Sequence, residues 1–98
     1  MNTPTLSLDE HDNHLIKTMQ LLGDSTRFKI FKLMLGNSEF CVSEMASKLG
    51  ISSPAVSQHI RIFELVGFVS KKRVGQKICY TLKQDDKLVK DLINFVNN

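Results

Sequence analysis

Apolar residues recur at helical spacing along most of this chain and alternate with polar ones over one stretch. Leu15, Ile16, Met19 and Leu22 form a stripe that Gly23 ends, and Ser7-Leu8-Asp9-Glu10 reads as a capping box, so a first helix is expected from near Leu8. Asp24 can cap a second helix, from about Ser25 to Leu35. Its Phe28, Ile30, Phe31, Leu33, Met34 and Leu35 cover more than one face, which places it at the centre of the domain. Phe40-Cys41-Val42 favours a short strand. Ser43 then caps a short helix, Glu44 to Leu49, that Gly50 stops. Ser52-Ser53-Pro54 opens a longer helix that runs to about Val66 and ends at Gly67. Phe68 to Arg73 and Lys77 to Leu82 read as two hairpin strands joined through Val74-Gly75-Gln76, with Ile78, Tyr80 and Leu82 on one buried face. Asp85 or Asp86 caps a last helix to about Val96, whose apolar side is Leu88, Val89, Leu92, Ile93 and Val96.

Two helices joined by a tight turn at Gly50-Ile51-Ser52 and followed by a hairpin predict a winged helix-turn-helix. The expected class is mainly α with a small β-hairpin, in the order α-α-β-α-α-β-β-α, as a single domain over residues 1–98. Such a domain has little use for amphipathic helices at both ends. Those most simply pair with the same helices of a second chain, giving a homodimer.

Composition supports one small globular domain: 98 residues, 42% apolar and 23% charged. No apolar run nears the ~20 residues that would cross a bilayer. Met1 to Asp12 lacks a basic segment followed by an apolar one, and two cysteines are too few for a disulfide scaffold, so a reducing cytoplasm is the expected location.

Charge sharpens the picture. The net charge is +3, yet residues 57–77 hold Arg61, Lys71, Lys72, Arg73 and Lys77 against Glu64 alone. Residues 1–56 are slightly acidic and residues 78–98 are balanced. A local basic cluster suits a phosphate surface, because each neutralised phosphate releases counterions. It equally suits a solvated hairpin whose lysines protect an edge strand. The preceding helix decides between them. Val56, Ile60 and Phe63 mark its apolar centre, and Ser57, Gln58 and Arg61 lie on the opposite half. Gln pairs bidentately with adenine and Arg with guanine, while Ser serves bases or phosphates. Ser53, at the helix start, can hydrogen-bond a phosphate. His59 lies on the flank of the core, open to either a bracing role or a DNA contact. Lys71, Lys72, Arg73 and Lys77 would reach the backbone or an adjacent minor groove of double-stranded DNA.

Three stretches carry a family resemblance. Leu22-Gly23-Asp24-Ser25-Thr26-Arg27-Phe28-Lys29-Ile30 is similar to a helix entry L-A-D-P-T-R-L-x-I. Ser53-Pro54-Ala55-Val56-Ser57-Gln58-His59-Ile60 is similar to a recognition helix S-x-x-[AT]-V-S-x-H-L. Gly67-Phe68-Val69, with Arg73 to Leu82, resembles a wing G-L-V…R-x-G-R-x-x-x-Y-x-L. In order and spacing the chain resembles the ArsR/SmtB family of bacterial winged-helix repressors over nearly all its length. The resemblance implies a homodimer, joined through its first and last helices, that binds an operator, an inverted repeat, and blocks transcription. It also implies release by an inducer, often a metal ion or an oxidant.

The family's metal motif E-L-C-V-C-D-L corresponds here to Glu39-Phe40-Cys41-Val42-Ser43-Glu44-Met45. Cys41 is kept, and the second cysteine is Ser43, so a thiolate pair for a soft ion is incomplete. Another version of the site uses one Cys, an acid three residues on, and ligands from the partner's N-terminal arm. Cys41, Glu44, His11 and His14 can imitate it and would suit zinc or another thiophilic ion. The alternative is that His11 and His14 are surface residues of a charged helix start. Residues 85–98 hold no His or Cys, so the family's site on the last helix is not expected.

The two cysteines invite a second reading. Where the short strand pairs with the last hairpin strand, Phe40, Val42, Ile78 and Tyr80 should face the core. Cys41 and Cys79 then share the outer face as cross-strand neighbours. Within ~7 Å between Cα atoms they can form a redox-switched disulfide; otherwise they are two small unreactive thiols.

A sequence-specific DNA-binding regulator is therefore the leading reading. A winged-helix module that binds protein is the alternative. No Ser/His/Asp or Cys/His set and no phosphate-binding Gly loop supports an enzyme.

Overall fold

The computed structural model describes residues 5–37 and 39–97. Residues 1–4, where the segment read for an export signal begins, lie outside them, as do positions 38 and 98 of the domain read over 1–98.

Helix α1 (Glu10–Leu22) begins two residues later than the Ser7 box predicts. Asp9 is the cap. Its carboxylate accepts from the Asp12 N–H at 2.8 Å, and the Asp12 carboxylate accepts from the Asp9 N–H at 3.2 Å. Two short carboxylates close this box, and both sit where the helix dipole favours negative charge. Asp24 caps α2 (Ser25–Leu35) as expected, accepting from the Arg27 N–H at 2.9 Å. Strand β1 (Phe40–Cys41) runs straight into α3 (Val42–Leu49), with Cys41 rather than Ser43 at the cap position. The reason is Glu44, whose carboxylate accepts from the Cys41 N–H at 3.0 Å and so satisfies the entry one turn early.

After the left-handed Gly50 (φ 67°), Ser52 caps α4 (Ser53–Val66) by accepting from the Ala55 N–H. Strands β2 (Val69–Val74) and β3 (Lys77–Leu82) form the hairpin, one residue later on β2 than the pattern predicts, about a Gly75-Gln76 turn in which Gly75 has φ 64°. Asp86, not Asp85, caps α5 (Lys87–Asn97), accepting from the Leu88 and Val89 N–H groups.

The sheet order is β1-β3-β2, antiparallel throughout, with Phe40 opposite Tyr80, Cys41 opposite Cys79, and Lys72 opposite Cys79 on the other side. Ile30, Phe31, Met45, Val56, Ile60 and Phe63 are fully buried and join the central helices. Phe68 sits between Phe31 and Phe63, with both ring centroids 6.4 Å away, and fixes the hairpin to the helices. This is the winged helix-turn-helix the apolar pattern predicts.

The terminal helices depart from a simple core. On α1 the buried residues are Thr18 and Leu21, while Ile16 and Met19 of the predicted stripe are exposed. On α5, Val89 is the buried residue and Phe95 is 78% exposed. The described chain is elongated, 62 × 25 × 25 Å.

Candidate nucleic-acid interface

A helix presents one face and a strand alternates two, so the interface is set by which residues share a side. On α4 the buried residues Val56, Ile60 and Phe63 recur at helical spacing, which turns Ser53, Ser57, Gln58 and Arg61 outward, all exposed. On the wing, cross-strand partners share a face. Lys71 lies opposite Tyr80 and Arg73 opposite Ile78. These two faces meet in an open cleft of about 570 Å³. Ser53, Ser57, Gln58 and Arg61 line one wall, and Lys71, Gln76 and Lys77 line the other. The cleft brings together most of the residues predicted to contact DNA.

Its floor holds a residue that was not predicted as part of the contact surface. Tyr80, read as a core residue and as the Tyr of the wing motif but not as part of the contact surface, lines the cleft and donates to the Glu64 carboxylate at 3.5 Å. Burial, then the Glu64 charge and hydrogen bond, push the Tyr80 hydroxyl above its usual pKa, so it stays protonated and able to donate. This link ties the wing to the recognition helix. The available signal was the pairing of Tyr80 with Lys71, which puts both on the cleft face.

Three predicted contacts lie outside the cleft lining: Arg73, on the same face of β2 as Lys71, together with Lys72 and His59. Lys72 alternates to the opposite face of β2, where its Nζ lies 3.6 Å from the Glu39 carboxylate. His59 is half-buried, and its Nδ1 lies 3.5 Å from Arg27 Nη1. Arg27 also donates from Nε to the Leu21 carbonyl at 2.8 Å and from Nη2 to the Gln20 carbonyl at 3.3 Å. It thus satisfies the open C-terminus of α1 while bracing the recognition helix. Asp24 completes the cluster. Its bond from the Arg27 N–H, then the Arg27 and His59 charges, hold its pKa below the ordinary 3.8.

The candidate zinc residues do not form a donor set within one chain. Glu44 is committed to the Cys41 N–H, Cys41 is bonded to Cys79, and no three His, Cys, Asp or Glu side chains gather as ligands among the described residues. The cysteine pairing is as the alternation predicts: Cys41 and Cys79 are directly opposite, with Cα atoms 3.8 Å apart, and form a disulfide. Their predicted exposure is corrected. Cys41 is 8% and Cys79 0% exposed. Glu39, Cys41, Cys79 and Lys72 share one face of the sheet, and the Lys72–Glu39 pair spans β3 from its β2 side to its β1 side.

The chain is similar to known regulatory proteins. The sequence fits the profile of the bacterial regulatory protein, arsR family, over residues 24–71. It is 31% identical over 77 residues to the cadmium resistance transcriptional regulatory protein CadC homolog of Staphylococcus aureus, covering 79% of this chain and 62% of that protein. The chain thus spans less than two thirds of that relative. It is 32% identical over 77 residues to the transcriptional repressor SdpR of Bacillus subtilis, covering 79% of this chain and 82% of that protein. The transcriptional activator HlyU of Vibrio cholerae is 30% identical over 95 residues, covering 94% of this chain and 85% of HlyU. A solved structure of HlyU from Vibrio cholerae N16961 superposes with a TM-score of 0.80 at 26% identity, covering 91% of this chain and 94% of that one.

Proposed function

The chain belongs to the bacterial ArsR family of regulatory proteins, and on that premise we propose that it is a dimeric, sequence-specific repressor that binds operator DNA. One observation carries the reading: the cleft in which the exposed α4 residues Ser57, Gln58 and Arg61 face the wing cations Lys71 and Lys77. Arg61 and Gln58 read base edges in the major groove. Ser53, Lys71, Arg73 and Lys77 hold phosphates and set register. Lys72 adds long-range attraction from the far face, and His59 positions the helix through Arg27.

The terminal helices supply the dimer. Met19 and Phe95, 68% and 78% exposed, flank an apolar groove of about 250 Å³ that also includes Leu22, Phe28, Leu92 and Val96. A second copy of α1 and α5 covers this face and sets two recognition helices one DNA turn apart, roughly 34–36 Å, on an inverted repeat. The working place is beside the chromosome, in the cytoplasm. A zinc or other thiophilic inducer finds support in the name of the CadC homolog; it requires the Cys41–Cys79 bond to be reduced, and the partner's arm to bring His11 and His14 to Cys41 and Glu44.

The test is a gel shift on DNA from upstream of the protein's own gene against a shuffled duplex, with and without zinc, cadmium and arsenite. A retarded complex on the upstream duplex alone supports the reading. Equal retardation of both duplexes counts against it, and a metal-insensitive complex counts against the metal inducer.

A further inference from the structure

We propose that Cys41 and Cys79 are a redox-modification site whose disulfide clamps the wing to the helix-turn-helix and strengthens DNA binding. The inference rests on the DNA-binding reading above for its consequence, but not for the bond itself.

The position of the bond gives it leverage. Strand β1 has two residues, and Cys41 is its last before α3, the first helix of the helix-turn-helix. Cys79 is in the central strand, one residue before Tyr80, whose hydroxyl reaches Glu64 on the recognition helix. The bond therefore joins the start of α3 to the strand that carries the wing wall. Without it, β1 is held to β3 by two residue pairs and the burial of Phe40. A clamped wing loses less freedom when it closes on DNA, so the oxidised form is the tighter binder. Oxidation then acts with repression rather than as a release signal.

The chemistry balances with hydrogen peroxide as oxidant. Both residues are buried, Cys41 less completely than Cys79. The Cys41 sulfur attacks one peroxide oxygen, the O–O bond breaks, and a sulfenic acid and one water form. The Cys79 sulfur then attacks the Cys41 sulfur; the S–S bond forms, the S–O bond breaks and a second water leaves. The two thiols lose two electrons to the peroxide, and their two protons end in the waters. Reduction by a dithiol reverses the bond by exchange.

The experiment takes the full chain after peroxide and after dithiothreitol, counts free thiols by alkylation and mass, and measures affinity for the upstream duplex by fluorescence anisotropy. No free thiols after peroxide, and a complex about fivefold or more tighter than that of the reduced protein, support the proposal. The Cys41→Ala/Cys79→Ala double variant should bind alike under both conditions, near the reduced value. If that variant does not fold, the wild type in its two redox states still decides. Two free thiols after peroxide, equal affinities, or a tighter reduced form overturn the proposal. Absence of binding to the upstream duplex in every state overturns the DNA reading and the regulatory role with it, while the thiol count still decides whether the bond forms.

Discussion

Arg27 is the hinge pin between the first helix and the recognition helix: its guanidinium lies 3.5 Å from His59 Nδ1 while it donates to the carbonyls of Leu21 and Gln20. Replacing it by Ala leaves the α1 C-terminus open and frees the ring. Hydrogen bonds from a charged donor are worth about 1.5–3 kcal/mol, so Arg27→Ala should lower stability by roughly that much. Arg27→Lys should recover little, because an ammonium cannot fork to two carbonyls and a ring. Urea unfolding checks both. An unchanged midpoint for Arg27→Ala would remove the hinge role.

The same cluster fixes a pH dependence. The Asp24 carboxylate has its pKa lowered from 3.8 by the Arg27 N–H and the neighbouring charges. Folding thus favours the ionised form. That contribution is present above the unfolded value and is lost as pH falls through the folded one. Asp24→Asn keeps the capping oxygen but cannot titrate. The stability advantage of wild type over Asp24→Asn should shrink as pH falls below about 4. A gap that stays constant to the acid limit contradicts this.

Gly50 adopts φ 67° in the turn of the helix-turn-helix, and a Cβ there would meet nothing within 4 Å. The penalty for Gly50→Ala is therefore backbone conformation alone, about 1–2 kcal/mol. Thermal melting should show that loss, and a smaller one for Gly50→Asn. Equal stability of Gly50→Ala and wild type contradicts the left-handed turn.

Lys71 and Lys72 are adjacent but face opposite sides of the wing. Lys71→Ala should reduce the salt slope of DNA binding by about one, as expected for one lost phosphate contact. Lys72→Ala should change it less. Equal losses contradict the division of faces.

Phe95 is 78% exposed at the apolar groove of the terminal helices. Phe95→Glu should turn a dimer into a monomer in sedimentation equilibrium and weaken operator binding, since each half-site then binds alone. A wild type that sediments as a monomer contradicts the dimer.

Much of this was legible in the sequence because local signals agreed with the fold. Gly50, Ser52 and Pro54 mark the turn and the recognition helix, and Ile78, Tyr80 and Leu82 mark the central strand. The cleft followed from the face opposite Val56, Ile60 and Phe63. What was hidden depended on partners distant in sequence. Helix starts shifted where Asp12 and Glu44 closed the caps, a choice that propensity does not resolve. The Lys72–Glu39 pair joins residues far apart in the chain, and the role of Arg27 depends on His59, 32 residues away. Met19 was placed on the apolar stripe of the first helix, yet it is exposed, and Phe95 lay outside the apolar side read for the last helix, because periodicity alone does not tell a core face from an apolar face left open.

The central claim is that the α4–wing cleft reads DNA sequence. The most direct measurement is anisotropy titration of wild type and Arg61→Ala with the upstream duplex and its shuffled counterpart, at salt from about 50 to 200 mM. Wild type should prefer the upstream duplex by about a thousandfold or more and weaken steeply as salt rises, while Arg61→Ala should lose most of the preference and keep most of the salt dependence. Equal affinity of wild type for the two duplexes, or a preference that Arg61→Ala leaves intact, would contradict it.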